Sequence, residues 1–415
     1  MTSEDYVEHD ESPSTTNSCC HDDISNNTTP KTKSKMSLLD MSSIPREMYE
    51  DFRGVYKYLQ FVVISLAILN NSFNIVVFTQ TRMRSATSKI LTFLSFSELA
   101  VAIVELIVNS YATALEGQTY MSELYWHLFK WGRLYVTMVF QRSSICFNLI
   151  VATERYIAVR FPLKAHQILR RRSPVVFCGA VLVVIFGIHI FSPLKLKVAT
   201  VTRRHVTLYV FGNSLLYDHN QAVFEGLALA TKIMFVYIPL FSCLLMNVLM
   251  VLALRQHRIQ RKAMHLNRDV QQQSDRREIL TTITILVSSL LFVLLALPVT
   301  VSSIVQITHH DYGLFKREHY LFQFIVSFGG MLSLVGLSMD FFVYMIFNRE
   351  FRRTFTNLMR SFFRQTSSCC GQIPASDGPE TGHYMASEGT NMSVVTMQDV
   401  VTNDKISDEP AASSM

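Results

Sequence analysis

The sequence predicts an all-α membrane protein, a bundle of seven transmembrane helices followed by a short amphipathic eighth helix. Apolar residues are abundant: 49% of the 415 residues are hydrophobic and only 17% are charged, whereas a soluble domain carries about 25% charged residues. They are also clustered into seven runs, each near or above the ~20 residues that a helix needs to cross a bilayer. The runs are residues 58–78, 90–108, 134–157, 174–191, 227–254, 279–304 and 321–346.

Composition divides the chain into four regions in order. Residues 1–54 are polar and rich in Ser, Thr and Asn, which predicts an extracellular disordered tail. Residues 55–347 contain the seven runs and form the transmembrane domain. Residues 348–365 place aromatic residues three to four positions apart with Arg between them, a pattern typical of an amphipathic helix on a membrane surface, in contact with lipid. Residues 366–415 are again polar and predict a disordered cytoplasmic tail.

The positive charges predict the orientation of the helices. Loops on one side of the runs, counted from residues 82 to 364, carry 21 Lys and Arg residues. Those on the other side carry about half as many, and Lys and Arg collect in cytoplasmic loops. We therefore expect a multi-pass plasma-membrane protein with its N-terminus outside and its C-terminus in the cytoplasm. This asymmetry accounts for the net charge of +6, so no nucleic-acid partner is inferred.

The tails carry candidate modification sites. Asn26 and Asn27 each begin an Asn-x-Thr sequon on the outer side, which predicts glycosylation. Cys369 and Cys370 follow the last helix on the cytoplasmic side and are candidates for palmitoylation. The first 50 residues contain no apolar h-region, so a cleavable signal peptide is not expected and the first helix serves as the insertion signal.

The triplet Glu154-Arg155-Tyr156 ends the third run, where the chain leaves the hydrocarbon and a basic loop begins. Charged residues at such a position are costly and by default functional. The triplet resembles the signature at the inner end of helix three in rhodopsin-like G-protein-coupled receptors. Further matches extend the resemblance over roughly residues 55–360, in order and each on the appropriate helix. They are Asn74, Glu98, Pro239, Phe292, Pro298, and Asp340 with Tyr344.

The resemblance implies a cytoplasmic ionic lock. Glu278 lies twenty residues before Pro298, about 30 Å along a helix at ~1.5 Å per residue, and thus at the inner end of helix six. Arg155 is expected to pair with Glu154 and Glu278, and its release to let helix six move outward and bind a heterotrimeric G protein. The alternative is that Glu278 is a solvated charge beside two arginines. Activation-switch roles are implied for Pro239, Phe292, Pro298, Asp340 and Tyr344.

Buried acids predict a second site. Glu98 of helix two and Asp340 of helix seven are expected to approach each other at mid-membrane depth, near Asn74 and Ser144. Two close carboxylates cannot both ionise cheaply unless a cation lies between them. We therefore expect either a shared proton or a bound sodium ion. No other cofactor and no resident metal is expected, and the adjacent pair His309-His310 with Asp311 is discounted as a metal site.

The departures from the family pattern also carry predictions. Neither the head of helix three nor the loop between helices four and five contains a Cys. The disulfide that usually joins them is therefore absent. The loop over residues 197–210 alternates like two strands around Arg203 and Arg204, which predicts a hairpin lid over an outward cavity. Without the disulfide, this lid is expected to be more mobile than in relatives that have it.

Two ligand classes are disfavoured. Retinal requires a Lys in helix seven, and the run 321–346 has none; monoamine receptors carry an Asp where this chain has Thr137. The segments 154–165 and 338–344 most resemble invertebrate FMRFamide-like neuropeptide receptors. We therefore expect an extracellular peptide ligand, with a chemoreceptor of the same fold for environmental small molecules as the alternative.

A transporter or membrane hydrolase is disfavoured because no supporting motif is present, so the chain is not expected to be an enzyme. The Ser- and Thr-rich C-terminal tail suits receptor kinases and arrestin as further partners.

Membrane-embedded polar residues are the candidates for the ligand cavity. A peptide ending in Arg-Phe-amide would need a carboxylate partner, which Glu105 or Glu225 would provide. Arg142 and Lys232 have an alternative role as members of internal pairs with neighbouring helices. The full set of candidates is Glu105, Thr137, Gln141, Arg142, Glu225, Lys232, Thr300, Ser303 and Gln306.

Overall fold

The structure is a computed structural model that describes residues 42–83, 85–115, 122–161, 174–203, 206–263, 269–314 and 316–370. Within helices and strands it gives the backbone alone at residues 82, 203, 206–207, 257–263, 269–278 and 365–370. The predicted glycosylation sites Asn26 and Asn27 lie outside the described residues. For Glu278, Cys369 and Cys370 the structure describes only a helical backbone.

Seven helices are long and apolar enough to cross a membrane, which confirms the predicted fold class. They are α1 (Arg46–Phe78), α2 (Ala86–Ala114), α3 (Glu123–Arg160), α4 (Pro174–Leu194), α5 (Gln221–Gln256), α6 (Asp269–Thr308) and α7 (His319–Phe347). A further helix, α8, covers Arg349–Cys370. Most helices extend beyond the apolar runs, because backbone hydrogen bonding continues where side chains become polar. Below, "inner" denotes the end of the bundle that contains Arg155, and "outer" the opposite end.

The loop between α4 and α5 forms the expected hairpin. Strands β1 (Leu196–Arg203) and β2 (Val206–Asn213) pair antiparallel, with Leu196 opposite Asn213 and Arg203 opposite Val206. The alternation of apolar and polar residues that predicted the strands is the period of two that a pleated strand imposes. The hairpin prediction is therefore confirmed.

Aromatic packing fixes the inner end of the bundle. Phe351, in the first turn of α8, is fully buried and contacts Phe78 of α1 and Tyr344 of α7 at ring distances of 5.4 and 5.5 Å. The turn before it is stabilised by Asn348, whose Oδ1 accepts hydrogen bonds from the backbone N–H groups of Glu350 and Phe351 at 3.1 Å each. Such a side-chain cap satisfies donors that a helix start would otherwise leave unpaired. Tyr344 is thereby held in a fixed position in the buried core.

Two helices contain wide π turns in their outer halves. The segment Leu128–Thr137 of α3 and the segment Ile233–Tyr237 of α5 both have π-helical hydrogen bonding. A π turn contains more residues than an α turn, so it rotates the side chains on its outer side relative to an uninterrupted helix. In α3, residues beyond the π segment therefore lie on a different face from the one predicted by counting residues outward from Arg155.

The helices α6 and α7 lie close together where Gly329 of α7 faces Pro298 and Val299 of α6. A Cβ atom added at Gly329 would lie 2.7 Å from Val299 Cγ2, 3.1 Å from the Val299 backbone nitrogen and 3.3 Å from Pro298 Cβ. No real side chain tolerates the first of these contacts, and the second is with backbone that cannot rotate away. Glycine is therefore required for this helix contact.

We expect Gly329→Ala to destabilise the protein by about 1–3 kcal/mol, because overpacking displaces the backbone. The control is Gly330→Ala, where an added Cβ meets only Tyr56 Oη, at 4.0 Å. Both changes gain the same helix propensity, so their difference isolates the close contact. Thermal unfolding of the purified protein measures it, and equal melting temperatures for the two variants would contradict the requirement.

Candidate functional site

At the inner end, Arg155 lies in a buried network between α2 and α3. Its Nε atom is 3.2 Å from Glu154 Oε2, and both side chains are largely buried, with 15% and 7% exposed. The Thr87 hydroxyl donates to the Glu154 carboxylate, at 2.8 Å from Oε2 and 3.0 Å from Oε1, and accepts a hydrogen bond from Arg155 Nη2. Tyr156, the third member of the triplet, is partly buried. The guanidinium is thus held against its neighbouring carboxylate by a residue of another helix.

Thr87 is a member of this site that the sequence analysis did not identify. It lies in the first turn of α2, where Ser85 caps the helix by accepting a hydrogen bond from Ser88 N at 3.0 Å. The start of α2 can be predicted from the sequence, since Ser is a favoured cap. The sequence does not show which side chain of that first turn faces α3, because this depends on how α2 and α3 cross.

A second buried polar group lies between α2, α6 and α7. Asp340 accepts a hydrogen bond from the Ser288 hydroxyl, and Glu98 interacts electrostatically with Asp340. The buried Tyr344 lies near both acids and near Arg155, between the mid-membrane acids and the inner network. The structure thus brings the two predicted acids together.

Asn74 and Ser144, the other predicted members of this site, are buried in the same bundle. Asn74 has neither side-chain polar atom hydrogen bonded among the described residues, and the same holds for Ser144 Oγ and Glu98 Oε2. Buried polar atoms of this kind normally bind water or an ion. They therefore fit a sodium ion or ordered water, and no cluster of three or more His, Cys, Asp or Glu side chains occurs in the described part of the chain.

A cavity of about 990 Å³ opens between the outer halves of the helices. Glu105, Thr137, Gln141, Arg142 and Thr300 line it, which places five of the nine predicted ligand residues on one surface. Phe292 and Ser144 also contribute to the lining. Phe292 packs against a core cluster that includes Leu240 and Val293, so a ligand in the cavity would contact a residue for which a switch role is predicted.

Glu105 does not have the free carboxylate that the sequence analysis expected. Its Oε1 lies 3.5 Å from Arg133 Nε, and its Oε2 accepts a hydrogen bond from Asn109 Nδ2 at 3.2 Å. Arg133 belongs to the π segment of α3, whose altered rotation could not be read from the sequence. The acid nominated for a ligand arginine is therefore already paired with an arginine of this chain.

Four other predicted residues are placed outside the lining of this cavity. Glu225 is exposed and accepts hydrogen bonds from Tyr217 Oη at 3.1 Å and Gln221 Nε2 at 2.9 Å. Ser303 is hydrogen bonded to Tyr237 Oη at 3.1 Å, which joins α6 to α5. Gln306 is exposed and Lys232 is partly buried. Their assignment to the cavity was based on depth alone, and depth does not determine which face of a helix turns inward.

The hairpin contacts α3 through aromatic side chains. Phe211 of β2 lies 4.6 Å from the Trp126 ring and 5.8 Å from the Phe129 ring. No cysteine occurs in the head of α3 or in the hairpin, so this contact between the hairpin and α3 is not covalent. The Trp126–Phe211 pair is edge-to-face, and such a pair contributes about 0.5–1.5 kcal/mol beyond its burial.

Comparison with known proteins agrees with this architecture. The sequence model described as "7 transmembrane receptor (rhodopsin family)" matches residues 70–336. The chain is also 24% identical, over 341 residues, to a Drosophila melanogaster protein named "FMRFamide receptor"; the match covers 80% of this chain. It covers 56% of the length of that relative, so the chain spans little more than half of it. Seven membrane-crossing helices, the Glu154–Arg155 network and the extent of the family match lead to one conclusion: the chain belongs to the rhodopsin family of seven-transmembrane receptors, and is a receptor and not an enzyme.

Proposed function

We propose that the chain is a receptor for an extracellular peptide and activates a heterotrimeric G protein. The observation that carries this proposal is the placement of the large outer cavity and the Arg155 network at opposite ends of one bundle. The mid-membrane acids and Tyr344 lie between them. A receptor needs such a connection, because ligand binding at one site must change an equilibrium at another.

The cavity supports a peptide rather than a smaller ligand. Its volume of about 990 Å³ is near the upper end of the range of about 300–1,000 Å³ for ligand pockets. Its walls combine charged side chains such as Glu105, Arg133 and Arg142 with aromatic ones. The similarity to a protein named as an FMRFamide receptor supports the same class. An environmental small molecule is the second candidate, because the lid over the cavity lacks a covalent attachment.

The proposed switch depends on release of Arg155. In the arrangement described here, Thr87 and Glu154 hold the guanidinium. Glu278 would contribute a second carboxylate from α6, as the sequence predicts. Agonist contact with Phe292, on the same helix as Pro298, would favour outward movement of the inner end of α6 and opening of the G-protein groove. Pro239, buried in α5 two residues after its π segment, would let α5 adjust at the same level.

Orientation and further partners follow from the same proposal. The excess of Lys and Arg on the inner side supports a plasma-membrane receptor with an extracellular N-terminus and a cytoplasmic C-terminus. Glycosylation at Asn26 and Asn27, and palmitoylation at Cys369 and Cys370, would fit this topology. Receptor kinases and arrestin would act on the Ser- and Thr-rich tail, and α8 would lie on the inner lipid surface.

We further propose that Glu98, Asp340, Asn74 and Ser144 hold a sodium ion or a shared proton. Glu98 and Asp340 interact electrostatically, and oxygen or amide atoms of the other two lack partners among the described residues. Sodium would neutralise the acids and hold α2, α3 and α7 in the resting arrangement. A shared proton would do so by leaving only one of the two acids charged.

The proposed function is tested by expressing the chain in cells and measuring calcium and cAMP in response to a panel of peptides that includes Arg-Phe-amide sequences. At least one peptide is expected to activate the receptor, and Arg155→Ala to abolish coupling while binding is retained. Responses only to small non-peptide molecules would favour the second candidate. Failure of both panels, at verified surface expression, would contradict the proposal.

Thr87→Val is expected to raise ligand-independent signalling several-fold. The change removes the hydroxyl that joins Glu154 to Arg155, and a hydrogen bond to a charged group contributes about 1.5–3 kcal/mol. The control is Thr92→Val, because among the described residues the Thr92 hydroxyl bonds only to the Ser88 carbonyl of its own helix, at 2.8 Å. Basal G-protein activation, at matched surface expression, is the measurement. An unchanged basal level in Thr87→Val would show that this network does not hold the resting state.

The ion proposal predicts that sodium stabilises the purified receptor. Its melting temperature should be several degrees higher in sodium chloride than in choline chloride at equal ionic strength, because an ion bound only to the folded state stabilises it. Asp340→Asn should remove the difference. No dependence on sodium in the unmodified receptor would exclude the ion and leave the shared proton.

A further inference from the structure

The deepest cationic group of the cavity, Arg142, has no acidic partner. Its side chain lines the cavity from α3, and its Nε atom is buried with no hydrogen-bond partner among the described residues. No carboxylate in the described part of the chain forms an ion pair with it; Tyr237 and Cys146 are among the groups near it. A buried guanidinium without a counter-charge is costly unless something supplies one.

Two further nitrogen groups, which lie outside the cavity lining, are close enough to Arg142 to interact with it electrostatically. His189 of α4 is only 1% exposed; its Nδ1 lies 3.0 Å from the Ile185 carbonyl, and its Nε2 has no partner among the described residues. Lys232 of α5 interacts electrostatically with Arg142 and with Lys195, so its charged neighbours are both cations. His189 likewise interacts with Arg142. We call Arg142, His189 and Lys232 the cationic subsite.

The two charged pairs nearer the mouth of the cavity differ from Arg142. Arg133, the other arginine of α3 in the lining, is paired with Glu105 at 3.5 Å, and Glu50 of α1 is paired with Arg46 at 2.8 Å. Both of these pairs are neutralised within the chain. Arg142 lines the cavity without an acidic partner among the residues that the structure describes.

We propose that the cationic subsite binds a carboxylate of the ligand, either an acidic side chain or a free C-terminus. A guanidinium recognises a carboxylate through two parallel hydrogen bonds, and the geometry of Arg suits this pairing better than that of Lys. The inference builds on the proposed peptide receptor and specifies the chemistry that its cavity selects. It also replaces the expectation that Glu105 receives an arginine of the ligand, since Arg133 occupies that acid.

The experiment uses the purified full chain in lipid nanodiscs and three matched probes: N-acetylphenylalanine, its neutral amide, and phenethylamine. Unfolding is followed by tryptophan fluorescence. The carboxylate at millimolar concentration is expected to raise the melting temperature by about 2–4 °C, and the amide and the amine to have little effect. Arg142→Gln should abolish the shift. Arg53→Gln, which removes a cation from the cavity wall of α1, should retain it.

Two results would overturn the inference. One is a rise in melting temperature with the carboxylate that persists in Arg142→Gln, or an equal rise with the neutral amide. The other is a marked loss of melting temperature in unliganded Arg142→Gln, because that would show the guanidinium to be satisfied within the protein. Removal of an unpaired charge should instead leave the unliganded protein at least as stable.

A second arm separates this inference from the proposed function. The peptide panel includes pairs that differ only in a C-terminal amide or free acid, and pairs that exchange Gln for Glu. Acidic members should activate best and should lose about 100-fold or more in potency in Arg142→Gln. If peptide agonists act equally with and without an acidic group, and equally on Arg142→Gln, the subsite proposal is wrong and the peptide-receptor proposal is retained. If the carboxylate raises the melting temperature through Arg142 but no peptide is an agonist, the peptide-receptor proposal is wrong and the subsite proposal is retained.

Discussion

The arrangement of the helices depends on one constraint: polar groups within the hydrocarbon layer must find their partners inside the bundle, because no water is available there. Asn70 and Asn71 of α1 illustrate it, since each donates a side-chain hydrogen bond to a backbone carbonyl of α7, at 3.0 and 2.8 Å. The Ser289 hydroxyl donates to Asn247 at 2.6 Å and joins α6 to α5 in the same way. The polar positions of the sequence therefore determine which helices are neighbours.

The candidate functional sites lie where buried polar groups have no partner inside the bundle. Among the buried atoms without a partner in the described residues are those of Glu98 and Asn74 and the Nε atom of Arg142. Glu98 and Asn74 lie between helices and suit a small ion or a proton, whereas Arg142 lines the outer cavity and suits a group of the ligand. A membrane helix carries such residues at a cost in stability. That cost is reasonable only if the missing partner is supplied in some state of the receptor.

The sequence predicted the seven helices and the hairpin because both depend on local periodicity and length. It also identified Glu154, Arg155 and the two mid-membrane acids, since a charge within an apolar run is unusual in any context. It did not predict Thr87, nor the pairing of Glu105 with Arg133. Both depend on how neighbouring helices are rotated about their axes, and the π segment of α3 changes that rotation partway along the helix.

The aromatic attachment of the hairpin has a consequence for how the protein is made. Trp126, Phe129 and Phe211 associate through packing, and neither the head of α3 nor the hairpin contains a Cys, so this contact forms without oxidation. A disulfide at such a place would form only in an oxidising compartment. The contact between the hairpin and α3 is therefore independent of the redox state of its surroundings, and reducing agents used during purification leave it unchanged.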